Sequence, residues 1–194
     1  TAEWHWLSMR WHVWFGYATL SLLLFRVIWG FAGSQTARFA EFVRGPRRVS
    51  AYVRELLAGR AALGVGHNPL GGWSGLAMLL CLFVQAVTGL FASNRRHTEL
   101  GPWALHVPDG WSQGLTAIHK INQNVLLVLN ALHIAVVMAY WIGKDENLVG
   151  PMLHGRKVLA PLAPLRFASA IRTLVALAIA ALIVLVVVGA SNLI

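Results

Sequence analysis

Four long runs of this chain carry almost no charge, and no other feature limits its fold as much. They cover about residues 11–31, 70–92, 119–142 and 173–194. The first is interrupted by Arg26 near its far end, the third is uncharged from Ile121 on, and the last is built on AIAALIVLVVVG. A helix needs about 20 apolar residues to cross the hydrocarbon core of a bilayer. Only helices and closed barrels satisfy their backbone polar groups there. The expectation is an all-α integral membrane bundle with four transmembrane helices. Composition agrees, because 57% of the residues are hydrophobic and only 12% are charged. That excludes a disordered chain, and it leaves too few polar residues to cover a soluble domain. One cysteine, Cys81, excludes a disulfide-stapled scaffold. Residue 1 is Thr and no signal peptide is visible, so the sequence is expected to start partway through a longer protein.

The net charge of +9 is distributed unevenly, and its position beside apolar runs points to a membrane rather than to nucleic acid. Residues 32–69 carry Arg38, Arg44, Arg47, Arg48, Arg54 and Arg60, and residues 143–172 carry Lys144, Arg156, Lys157, Arg166 and Arg172. The other connections hold only Arg10, Arg95, Arg96 and Lys120. By the positive-inside rule, residues 34–69 and 143–172 are cytoplasmic, and residue 1 and the C-terminus are periplasmic, in a bacterial inner membrane. Within residues 47–60, Val49, Tyr52, Val53, Leu56 and Leu57 recur on one helical face, opposite arginines and after Pro46. This predicts an amphipathic helix on the inner membrane surface, or one docked on a partner subunit. Residues 93–118, with Pro102, Pro108, Asp109-Gly110 and two tryptophans, predict a folded outer loop.

Ionisable groups inside spans are costly and usually functional. His12 and His119 are expected at the same outer depth on different helices. His133 follows His119 by 14 residues, about 21 Å of rise and nearly four turns, so the two share one face at two depths. That spacing suits two haems stacked across a bilayer, each iron taking two imidazoles, with His12 and His119 clamping the outer one. The alternative is a pair of polar interfacial histidines. His133 needs a partner at inner depth. His67 is the topological candidate, although Gly66-His67-Asn68-Pro69 equally reads as a helix start. Gly16 and Gly89 either leave room for a porphyrin face or permit close helix packing. Arg26 either reaches lipid headgroups or pairs with a haem propionate. Asn122, Gln123, Asn124 and Asn130 should face the bundle interior.

The segments RWHVWFGYATLSLLLFRVIWGFAG, ARFAEFVRGP, GHNPLGG, QAVTGL and HKINQNVLLVLNALH together resemble the bacterial b-type cytochromes. That family covers cytochrome b561 and the cytochrome b subunits of nickel–iron hydrogenases. The resemblance spans about residues 5–160. It implies a four-helix core with two b haems, carrying electrons between a redox partner and quinone. By this resemblance His12 matches the ligand of the family's second helix, and His119 and His133 match the paired ligands of its fourth. GHNP matches a motif opening the third helix. The family's first helix, with an Arg-x-x-His-Trp motif near its start, has no counterpart here, and by resemblance its histidine is the partner of His133. One complete bis-His haem site is therefore expected, with a second lacking a ligand. The domain reading is a haem-binding core over 1–160 and an extra transmembrane helix over 161–194.

Three functions follow as expectations. The first is an electron-transfer subunit of a multi-subunit complex, linking a periplasmic hydrogenase or c-type cytochrome to quinone as a diffusible partner. The second is a free-standing quinone-linked enzyme, such as a superoxide oxidase drawing an anion to Arg95, Arg96 and Lys120. The third is a non-redox anchor or transporter.

Overall fold

The computed structural model describes residues 9–60, 68–94, 99–144, 149–155 and 165–192. Their regular structure is helical, with one isolated antiparallel bridge between Ser93 and Leu100. Four helices are long and apolar enough to cross a membrane: α1 (Met9–Ala32), α4 (Pro69–Phe91), α5 (Asp109–Lys144) and α7 (Ala170–Asn192). Between and after them lie the short α2 (Phe39–Phe42), α3 (Pro46–Leu57) and α6 (Val149–His154). Leu22, Leu182, Leu185 and Val186 are each at least 61% exposed. Apolar surface on that scale, continuous around the spans, is tolerable only with lipid as the solvent.

The spanning helices stand in a row, α7 against α1, α1 against α4, and α4 against α5. On α7 the buried positions are Ala176, Ala180 and Val184, a stripe at four-residue spacing. Two alanines let the backbone approach α1, where Leu20 and Leu23 are buried, by the small-residue logic of membrane packing. Both ends of α7 are tied down. At the arginine-rich end, Gln35 N–H donates to the Arg166 carbonyl at 3.0 Å, and Ala168 N–H donates to the Ser34 hydroxyl at 3.1 Å. At the other end, the Trp103 indole donates to the Val187 carbonyl at 3.1 Å. The C-terminal helix is thus a packed neighbour of α1.

Helix ends follow local chemistry. Asn68 caps α4 by accepting from Gly71 N–H at 2.7 Å, with Pro69 at the first helical position. Gly59, at φ +68°, ends α3. Its N–H donates to the Leu56 carbonyl while Arg60 N–H donates to that of Glu55, a Schellman closure that stops the helix at Leu57 rather than Arg60. The loop expected over 93–118 is shorter than its composition suggests. α5 starts at Asp109, where the Pro108 carbonyl accepts from both Trp111 and Ser112 N–H and an acidic residue meets the positive end of the helix dipole. With 36 residues α5 is about 54 Å long, well beyond a bilayer core.

At the arginine-rich end α2 is wedged between α1 and α4. A Cβ on Gly30 would collide with the Phe39 ring, and one on Gly72 with the Phe42 carbonyl, so both glycines make the space α2 occupies. Below this wedge, α3 packs on α4 and reaches α5 through a 2.7 Å hydrogen bond between the Tyr52 and Tyr140 hydroxyls. Tyr52 is buried and Leu57 is 83% exposed. The apolar face of α3 therefore docks on this chain's own bundle at Tyr52. Burial and the neighbouring Tyr140 push the Tyr52 phenol above its ordinary range. A raised folded value means Tyr52 favours folding at neutral pH, and this contribution fades as pH climbs past about 10, where the unfolded phenol ionises. Melting curves of wild type should fall more steeply above pH 10 than those of Tyr52→Phe. At pH 7 the variant should lose about 1 kcal/mol for the missing hydrogen bond.

Candidate functional site

His12, one turn into α1, and His119, three turns into α5, meet where α1, α4 and α5 converge, at the end opposite the arginines. Their ring centres are 6.2 Å apart with planes at 78°. A cleft of about 260 Å³ runs between the helices here and is lined by both histidines, Gly16, Leu20, Gln85 and Gly89.

His119 is held by α4. Its Nδ1 lies 3.0 Å from the Gln85 carbonyl and 3.2 Å from the Thr88 hydroxyl. The Thr88 hydroxyl donates its own proton to the Val84 carbonyl at 2.6 Å, so it can only accept from the imidazole. Both partners of Nδ1 are acceptors, which assigns the proton to Nδ1 and leaves Nε2 unprotonated, its lone pair accepting from the Gln85 amide. The Gln85 amide nitrogen sits 3.1 Å from Nε2, while its Oε1 accepts from Asn122 Nδ2 at 2.7 Å. Asn122 also donates to the Cys81 carbonyl at 2.8 Å. One turn before His119, Thr116 accepts from Ser93 N–H at 2.9 Å and fixes the helix to the outer connection. Gly89 is required by proximity, since a Cβ there would stand 2.9 Å from His119 Cε1. A Cβ on Gly16 would meet nothing within 4 Å, so the space beside it is open.

These residues fit an iron-centred group with two axial imidazoles. Two metal–nitrogen bonds of roughly 2 Å, with each ring centre about 1 Å behind its nitrogen, add to about 6 Å. Ligation leaves the dihedral between the two rings free, so a 78° angle is compatible. A backbone carbonyl on the far nitrogen is the usual support of a metal-bound histidine. Among the described residues no three His, Cys, Asp or Glu side chains form a metal-holding group. A porphyrin, which supplies four nitrogens of its own, suits a site with two histidines.

The other expected residues are distributed as follows. His133 is half-buried on α5 and makes no hydrogen bond or ring contact among the described residues. His67 lies outside the described residues, as do Arg95 and Arg96. Arg26 is not at the histidine cleft. Its guanidinium stacks on Phe39 at 5.1 Å and Phe42 at 5.5 Å, and its Nη1 is buried without a hydrogen-bond partner. The expectation that all four amides of the third span face inward is corrected. Asn122 and Gln123 are half-buried, but Asn124 and Asn130 are exposed. Asn130 satisfies its amide on the Leu126 carbonyl of its own helix at 2.9 Å, and so needs no partner across the bundle. The supporting roles of Gln85 and Thr88 escape sequence reading, where the only sign is two polar residues a turn apart in an uncharged span.

A family model for prokaryotic cytochrome b561 matches residues 1–155. The chain belongs to that family. Searches of curated proteins and of solved structures gave no match. Cytochrome b561 membership makes this a multi-pass membrane b-type cytochrome of electron transfer, with haem b as its cofactor. The match ends at the close of α6, and α7 lies outside the matched residues.

Proposed function

We propose that His12 and His119 are the axial ligands of a b haem, through which the chain passes electrons between a redox protein on the histidine side and quinone in the bilayer. The arginine-rich end is then cytoplasmic and the histidine end periplasmic, and a hydrogenase or a c-type cytochrome is the partner class. The reading rests on the 6.2 Å ring separation and on Nε2 of His119 being the unprotonated nitrogen, from which the Gln85 amide would turn away when the group binds. Haem supplies a one-electron couple whose potential follows ligation, hydrogen bonding and dielectric. The protein's work is positional. Gln85 and Thr88 hold the His119 tautomer, Gly89 admits the imidazole beside α4, and the open space at Gly16 accepts a flat ring system.

His133 is proposed as a ligand of a second, deeper haem whose other ligand lies outside the described residues. α1 and α5 run in the same direction, since their starts meet at the histidine pair. Arg26 and His133 each follow a member of that pair by 14 residues, about 21 Å of rise, and so share a depth. The partnerless Nη1 of Arg26 suits a carboxylate of that second haem.

Reduced-minus-oxidised spectra and haem quantitation on the full chain test this. A b-type signal with at least one haem per chain is expected, and its absence overturns the proposal. Thr88→Val removes one acceptor from Nδ1 and should weaken haem retention on the order of tenfold, the usual effect of losing a ligand's supporting partner. Haem loss during dilution, followed optically, measures it.

A further inference from the structure

A cleft of about 590 Å³ opens at the arginine-rich end, away from the histidines. Its walls include Val27 and Phe31 of α1, Val43 after α2, and Leu76, Leu80 and Phe83 of α4, and every residue lining it is apolar. Phe31 is 73% exposed, Leu80 58% and Phe83 47%, so the cleft opens sideways toward lipid. Leu76 lies about 10 Å and Phe83 about 21 Å along α4 from Pro69. The cleft therefore starts in the half of the hydrocarbon core nearest the arginine-rich surface and reaches a little past the midplane at Phe83.

The chain that leaves its wall is cationic. Val43 is followed directly by Arg44, and Arg47 and Arg48 open α3. The Trp73 indole donates to the Arg44 carbonyl at 2.7 Å, pinning this segment to α4 one turn before Leu76. Arg47 and Arg48 are exposed, and among the described residues none of the three guanidinium groups has an ion-pair or hydrogen-bond partner. One acid, Glu41, accompanies Arg38, Arg44, Arg47 and Arg48 over residues 38–48.

We propose that this cleft is a binding site for one anionic phospholipid, its acyl chain against Val27, Leu76 and Phe83 and its phosphate at Arg44, Arg47 and Arg48. Apolar walls and the run of arginines that continues from Val43 match the two chemical halves of that molecule. A quinone ring fits less well. The cleft offers its carbonyls no polar side chain, and a neutral head leaves the arginines uncompensated. Such a lipid bridges α2 and α4 and secures the wedge from which α3 continues.

The full chain, reconstituted in nanodiscs of equal phosphatidylglycerol and phosphatidylcholine and released for native mass spectrometry, tests this. Wild type should retain one phosphatidylglycerol in preference to phosphatidylcholine. In R44Q/R47Q/R48Q retention should fall about fivefold per arginine removed. Leu76→Trp, which fills the cleft and keeps the charge, should also lose the lipid. As a check that needs no variant, phosphatidylglycerol should raise the wild-type melting temperature more than phosphatidylcholine does. Equal retention of the two lipids by wild type, unchanged retention in the triple variant, a retained quinone in place of lipid, or equal melting shifts would each overturn the proposal.

Discussion

His119→Ala and His12→Ala should each abolish the reduced-minus-oxidised signal of the haem held at the histidine end. A residue that merely supports a metal ligand costs 10–100-fold in affinity when mutated, so loss of the ligand itself costs more than a hundredfold. The two substitutions disturb the fold unequally, which makes the pair informative. His119 is half-buried and bonded to α4 through Gln85 and Thr88, so its removal leaves three polar atoms on α4 without their partner. His12 is exposed and has only the ring contact to His119, so its removal leaves the helices intact. A folded His12→Ala protein without the signal therefore isolates ligation from folding. Imidazole in the buffer should restore part of the spectrum to it, because the space is open beside Gly16. His106→Ala, which removes a ring tilted against Trp103 at 5.0 Å in the outer connection, should leave the signal unchanged. Full haem content in both clamp variants would defeat the assignment.

What the sequence disclosed and what it concealed divide along a physical line. Three of the four spans, and the far end of the third, were readable within a few residues because an uncharged run is a property of the chain alone. The α4 cap was readable for the same reason, since Asn68 and Pro69 act on their own helix. The early start of α5 was hidden because Asp109-Gly110 is a strong turn signal, and here a proline carbonyl and the helix dipole recruit the aspartate into the first turn instead. The depth of His12 and His119 followed from counting residues, but their contact depends on α4 spacing α1 from α5. The roles of Gln85 and Thr88 depend on the register of α4 against α5, which no local pattern encodes. The wedge of α2 was invisible because it requires two glycines, Gly30 and Gly72, from helices 42 residues apart in number to leave room for two phenylalanines.

That wedge supplies the second large effect. Gly72→Ala should destabilise the protein more than Gly30→Ala, although each adds one methyl group. At Gly30 the new carbon meets the Phe39 ring, a side chain that can rotate away from it. At Gly72 it meets the Phe42 carbonyl, and backbone can yield only by moving α2 off α4. Overpacking of this kind costs about 1–3 kcal/mol, and the rigid contact belongs at the top of that range. For a chain of this size each kcal/mol moves the melting temperature by about 2–4 °C, so a drop of roughly 6–12 °C is expected for Gly72→Ala and only a few degrees for Gly30→Ala. Gly75→Ala is the internal control on the same helix. Nothing lies within 4 Å of its added carbon, and helix propensity favours the alanine by up to about 1 kcal/mol. The ordering Gly75→Ala above wild type, then Gly30→Ala, then Gly72→Ala, read by thermal melting in detergent, follows from the wedge. If Gly72→Ala melts with Gly75→Ala, α2 does not lie against α4, and the cleft above it loses a wall.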